Sequence, residues 1–145
     1  RRPGKVISPS PKIAGKSLRI EAEIQLKAQA TPRGVLLAQG GKEHGYAIHW
    51  LKGKLAFDVR VDGKVTRVQI NAPTKGKLKV VAVLDQQVIS LEVEGARAKM
   101  NSPGLIPVQP KDDLSIGFDD QTAAGNYNVP NSFNGKVLSY SVNKR

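Results

Sequence analysis

The chain has 145 residues, 23 lysines and arginines against 12 aspartates and glutamates, and a formal net charge of +11. It has no cysteine, which excludes disulfides, thiolate metal sites and cysteine nucleophiles, and no apolar run of the about 18 residues that a spanning helix needs. One domain with one core is the expectation at this length, and the basic balance points to polyanions: nucleic acid, anionic lipid or sulfated glycan.

Arg1-Arg2-Pro3-Gly4 is not followed by an apolar h-region, so no signal peptide is visible, and the abrupt start suits a piece of a longer protein. Residues 1–16 read as a basic, Pro-rich linker, because Pro3, Pro9 and Pro11 with Gly4, Ser8 and Ser10 oppose both helix and central strand. Residues 17–145 then form the domain. From Leu18 to Lys27 apolar and polar residues alternate, the pattern of a strand with one face in water. After the turn Thr31-Pro32-Arg33-Gly34, the apolar run Val35 to Ala38 suits a strand buried on both faces.

Tyr46 to Leu51 and Lys54 to Val61 flank Lys52-Gly53, a tight hairpin, and Asp62-Gly63 leads to a further strand, Val65 to Ile70. Pro73 to Gly76 breaks that strand. Lys77 to Leu84 and Gln87 to Val93 form another hairpin across Asp85-Gln86, which Gly95 ends. Pro103, Gly104, Pro107 and Pro110 mark a long connection. Leu114 to Phe118 is a strand, 121–132 a loop, and Val137 to Val142 the closing strand. About ten short strands without helical periodicity imply a β-sandwich or barrel.

Chemistry is sparse. The two histidines, His44 and His49, adjoin no serine or acidic partner motif, and no zinc-protease, nucleophile-elbow or phosphate-loop pattern occurs. Tyr46 and Trp50 share a strand face and offer aromatic surface to a sugar, although Ile48 between them equally makes that face core. Arg60, Lys64 and Arg67, with Lys75, Lys77 and Lys79 nearby in sequence, offer guanidinium and ammonium groups to sulfate or phosphate; the plainer reading is a solvated surface. Few aromatics are present for stacking on bases, which argues against nucleic acid.

Several motifs fall in a telling order: Gly34-Val35-Leu36-Leu37-Ala38-Gln39-Gly40-Gly41, Gly45-Tyr46-Ala47-Ile48, Ile116-Gly117-Phe118-Asp119, Tyr127 and Pro130, then Phe133-Asn134-Gly135-Lys136-Val137. This order, spanning Leu18 to Val142, resembles a laminin-G-like, concanavalin A-type β-sandwich of the kind appended to many bacterial sulfatases. The resemblance implies an all-β, antiparallel jelly-roll sandwich of the lectin and glucanase type, with an immunoglobulin-like sandwich as runner-up. It implies a non-catalytic accessory module of a secreted or periplasmic sulfatase-like hydrolase, partnered by the catalytic domain of the same polypeptide and holding a sulfated or other anionic polysaccharide. Alternatives are a free-standing polyanion- or nucleic-acid-binding protein and a purely structural domain. No cofactor is required, but related sandwiches hold calcium at a loop rim, and Asp119, Asp120 and Asn126 offer oxygens of the right kind.

The sulfatase nucleophile, a cysteine or serine in a short Cys/Ser-x-Pro/Ala-x-Arg motif, has no counterpart here. Nor do the glucanase carboxylates: Glu21 with Glu23, and Glu92 with Glu94, enclose Ala22 and Val93 where those enzymes carry an aspartate.

Overall fold

A computed structural model describes residues 5–119, 122–125, 127–129 and 131–145. Among them are eleven strands and no helix: β1 Lys5–Ile7, β2 Leu18–Gln25, β3 Gly34–Gly40, β4 Gly45–Leu51, β5 Lys54–Val61, β6 Lys64–Asn71, β7 Lys77–Leu84, β8 Val88–Val93, β9 Ala96–Asn101, β10 Leu114–Ile116 and β11 Lys136–Lys144. They build two antiparallel sheets. One has six strands in the order β1-β10-β3-β4-β5-β6, the other five in the order β11-β2-β7-β8-β9.

The core follows from alternation. Leu18, Ile20, Ala22 and Ile24 of β2 point inward while Arg19, Glu21 and Glu23 face water. Across the interior lie Tyr46, Ile48 and Trp50 of β4 and Leu55, Phe57 and Val59 of β5, with Tyr46 and Phe57 edge to face at 6.5 Å between centroids. Burying these side chains supplies roughly 1.5–3 kcal/mol each against the cost of ordering the chain.

Three hairpins share one device. In Lys52-Gly53, Asp62-Gly63 and Glu94-Gly95 both residues have positive φ, 50° and 83°, 51° and 80°, 46° and 88°. That is the two-residue turn whose twist matches paired strands. The third hairpin corrects an expectation. Gly95 does not end the sheet but turns it into β9, which pairs with β8 from Val93↔Ala96 to Val88↔Asn101. As an edge strand with most residues exposed, β9 shows no apolar alternation to betray it.

Residues 5–16 are also not a tether. β1 pairs with β10, Ile13 is fully buried, and Gln39 Nε2 donates to the Pro11 carbonyl at 2.8 Å. Gly15 N donates to the Ile106 carbonyl at 2.7 Å, so this segment and the connection after β9 close one end of the sandwich together. The prolines exclude helix without excluding attachment, because side chains and carbonyls carry the contacts. Arg1 to Gly4 lie outside the described residues.

All seven residues of β3 are buried, as its apolar run implies. The reason is a cover. The segment after β10 returns along β3, with Val35 N donating to the Asn131 carbonyl at 2.8 Å and Phe133 N to the Gly117 carbonyl at 2.9 Å. Gly34 permits this: its φ is +99°, and a Cβ there would sit 2.0 Å from the Ser132 carbonyl oxygen.

Candidate functional site

The outer face of the six-stranded sheet carries the densest polar chemistry among the described residues. Ala47 and His49 of β4, Asp58 and Arg60 of β5 and Arg67 of β6 point outward by the same alternation that buries their neighbours. Asp58 stands directly opposite Arg67 in the ladder. The Arg67 fork donates twice, Nε to Oδ1 at 2.6 Å and Nη2 to Oδ2 at 2.8 Å, and His49 Nε2 meets Oδ2 at 2.9 Å. Asp58 and His49 have no solvent exposure.

Burial, the largest single influence on the Asp58 carboxyl, pushes its pKa up. The Arg67 fork and His49 together outweigh it and hold the group at about 2. Arg67 is raised in turn by its bond to Asp58. The result is a charged carboxylate fixed between two cation-forming partners.

The cover is a small second core in which Val35, Ala38, Ala47 and Ala124 pack with Tyr127. The Tyr127 ring meets the His49 ring edge to face at 4.8 Å, and its hydroxyl donates to Asp119 Oδ2, which also accepts from Ala124 N at 3.0 Å. Burial first, then the Asp119 charge, raises the Tyr127 hydroxyl far above its ordinary value. Gly125 lies against the carboxylate itself: a Cβ there would fall 2.7 Å from Asp58 Oδ2 and 2.6 Å from Tyr127 Cε2. Arg60 ties the cover down, donating from Nε to the Ala124 carbonyl at 3.2 Å and from Nη2 to the Gly125 carbonyl at 3.0 Å. His49 Nδ1 has no partner among the described residues, and the His49 side chain is out of solvent.

These positions revise the expected site. Tyr46 and Trp50 are core residues, with 0% and 4% of their surface exposed, so neither presents a face to a sugar. Arg67 is engaged by Asp58, and Arg60 by backbone carbonyls of the cover, so both are tied up within the fold. Lys64 starts β6 at the end of the sandwich opposite to Lys75 and Lys77, and Lys79 lies on the outer face of the other sheet, 3.6 Å from Glu21. Six residues close in sequence thus occupy several surfaces. For calcium, Asp119 is buried and its Oδ2 already takes the Tyr127 hydroxyl and Ala124 N; Asp120 and Asn126 lie outside the described residues. Among the described residues no three acidic, histidine or cysteine side chains converge as ligands. The glutamate pairs face water on the five-stranded sheet or its turns, where Arg19 lies 3.0 Å from Glu21 and lowers its pKa.

No protein-family model matches the sequence, and no curated protein matches it by sequence. Solved structures do match by shape. Domains LG4-5 of the mouse laminin alpha1 chain superpose with a TM-score of 0.76 at 18% identity, over 96% of this chain. The fold is a laminin-G-like β-sandwich. This chain spans 38% of that laminin structure. The CBM40 domain of a Ruminococcus gnavus IT-sialidase, solved with alpha2,3 sialyllactose, matches with a TM-score of 0.61 at 14% identity, over 97% of this chain and 89% of its own. Sheep galectin-11, in complex with glycerol, matches at 0.56 and 6% identity, over 95% of this chain and 97% of its own. The jelly-roll sandwich expected from the motif order is therefore the observed fold. Among the described residues no helix is long and apolar enough to cross a membrane.

Proposed function

We propose that the chain is a non-catalytic carbohydrate-recognition module of a larger secreted or periplasmic protein, a sulfatase-like hydrolase, and that its ligand is an anionic polysaccharide. The observation that carries this reading is the sealing of the His49–Asp58–Arg67 network. This constellation, which has the residue types of an acid–base site, is closed by Tyr127 and Gly125, with His49 and Asp58 out of solvent. What remains for the solvent is a surface rich in cations on a lectin-like sandwich.

Three further points support it. Structures of similar shape include a domain solved with sialyllactose, itself an acidic sugar. The net charge of +11 favours acidic partners. The motif order resembles domains appended to sulfatases, which would place a catalytic domain elsewhere in the same polypeptide. Glycan-array binding of the isolated chain at low salt tests the proposal. Sulfated and carboxylated glycans are expected to bind above neutral ones, with no release of sulfate or of reducing ends. Preference for neutral glycans, or turnover of any, would overturn it.

A further inference from the structure

The two ends of the sandwich differ in charge. At one end lie the turns after β2, between β4 and β5, before β7, between β8 and β9, and before β11. Arg33, Lys52 and Lys54 project from the six-stranded sheet at this end, and Lys27, Lys75, Lys77 and Lys136 from the five-stranded one. All seven are exposed, and none is in an ion pair among the described residues. The one described carboxylate in these turns is Glu94, whose Oε2 is occupied by Lys79 N at 2.9 Å. At the opposite end the turns and the β11 terminus carry Lys12, Lys16, Lys42, Lys64, Lys111, Lys144 and Arg145 among Glu43, Asp62, Asp85, Asp112 and Asp113, so seven cations there stand among five described acidic side chains, against seven beside one at the first end.

Strand register sets the spacing at the cationic end. Lys136 pairs with Gln25 and Gln25 with Lys77, so Lys136 and Lys77 lie two strands apart, about 10 Å. Gly34 pairs with Trp50, which brings Arg33 beside the Lys52 turn. The two sheets are themselves about 10 Å apart, so the cations form two rows that border this end from either side, Lys54 on the outward face of the six-stranded sheet beside core Leu55, and Lys77 and Lys136 on the outward face of the five-stranded one beside Leu78 and Val137. At the same end a cleft of about 480 Å³ opens between Lys5 and Lys136, floored by Gly117, Phe133 and Gly135 and walled by Leu138. That volume is within the range of small-ligand sites.

We propose that this end is the docking surface for the anionic polysaccharide, with one sugar unit in the Lys5–Lys136 cleft and neighbouring acidic groups on the two lysine and arginine rows. The inference rests on the carbohydrate-binding reading and gives it a place. A polysaccharide fits better than nucleic acid because the aromatics near this end, Trp50 and Phe133, are buried and Tyr140 lies under the Lys5 ammonium, 5.5 Å away. Among the described residues at this end no ring is free to stack on a base. A polysaccharide also fits better than a bilayer. Leu138 is the one large apolar side chain exposed beside the cleft among the described residues, too little to enter a membrane.

The test uses heparin oligosaccharide as probe and two triple variants. One is Arg33→Gln with Lys52→Gln and Lys54→Gln; the control is Lys42→Gln with Lys64→Gln and Lys111→Gln at the opposite end. At about 0.1 M salt, where charges act over about 10 Å, the first is expected to bind on the order of tenfold more weakly, the sum of three exposed charge contacts. The control should stay within about twofold. Lys5→Gln with Lys136→Gln should weaken binding too. Equal losses in both triples would show a diffuse charge effect and overturn the placement, as would full affinity in the first. Tighter binding to single-stranded DNA, or to phosphatidylcholine vesicles containing phosphatidylserine, would overturn the choice of polysaccharide. If the unmodified chain binds no glycan at all, the broader reading fails instead.

Discussion

The two sheets present outer faces made by the same alternation, yet one is sealed and the other open. On the six-stranded sheet His49 and Asp58 lie under Tyr127 and Gly125 out of water, and half-buried Arg67 closes on Asp58 from the next strand. On the five-stranded sheet Arg19, Glu21 and Lys79 make comparable pairs in water, at 3.0 and 3.6 Å. The residue types are alike; the dielectric is not. A carboxylate out of water depends on its partners for charge solvation, whereas an exposed one loses little when a partner goes.

The sharpest way to break that comparison is Asp58→Ala. It leaves buried His49 and half-buried Arg67 without their carboxylate and should cost about 3–5 kcal/mol in urea unfolding. Next is Gly125→Ala, whose methyl meets Asp58 Oδ2 and the Tyr127 ring; lifting the cover should cost up to about 3 kcal/mol. Acid provides a third handle. The Asp58 carboxyl falls from 3.8 to about 2 on folding, so its contribution of about 2 kcal/mol is fully present above about pH 4 and disappears as pH falls towards 2. An acid titration of stability should show that loss, and Asp58→Asn should flatten it. Tyr127→Phe removes one donor from Asp119 and should cost about 1 kcal/mol, read as a fall in Tm. On the open face, Lys79→Gln should change stability by less than about 0.5 kcal/mol. A cost there equal to that of Asp58→Ala would erase the distinction between the two faces.

The sandwich is legible in the sequence where patterns are strong. Leu18 to Gln25 alternates cleanly, the Asp62-Gly63 turn is in place, and the run from Val35 reads correctly as buried on both faces. β9 is hidden because an edge strand need not alternate, and β1 because prolines around it suggest a tether. The site is less legible. His49, Asp58 and Arg67 are nine residues apart in succession; the two-residue hairpins set Asp58 opposite Arg67 and put His49, opposite Ala56, on the diagonal to Asp58. That regularity links the three residues in the amino-acid order itself, since the hairpin registers follow from the turns. The cover has no such signal: it comes from a segment about 70 residues downstream of Asp58, and its folding back gives Arg60 the Ala124 and Gly125 carbonyls it bonds. The cationic end is hidden for the same reason, since its residues come from separate turns that only the topology gathers.

The central claim is recognition of an anionic polysaccharide without chemistry, and calorimetric titration of the isolated chain across a salt series tests it most directly. The account predicts binding to a sulfated polysaccharide that weakens steadily as salt rises, little heat from its desulfated counterpart, and an intact polymer recovered afterwards. Equal, salt-insensitive binding to both polymers, or release of sulfate or of new chain ends, would contradict it.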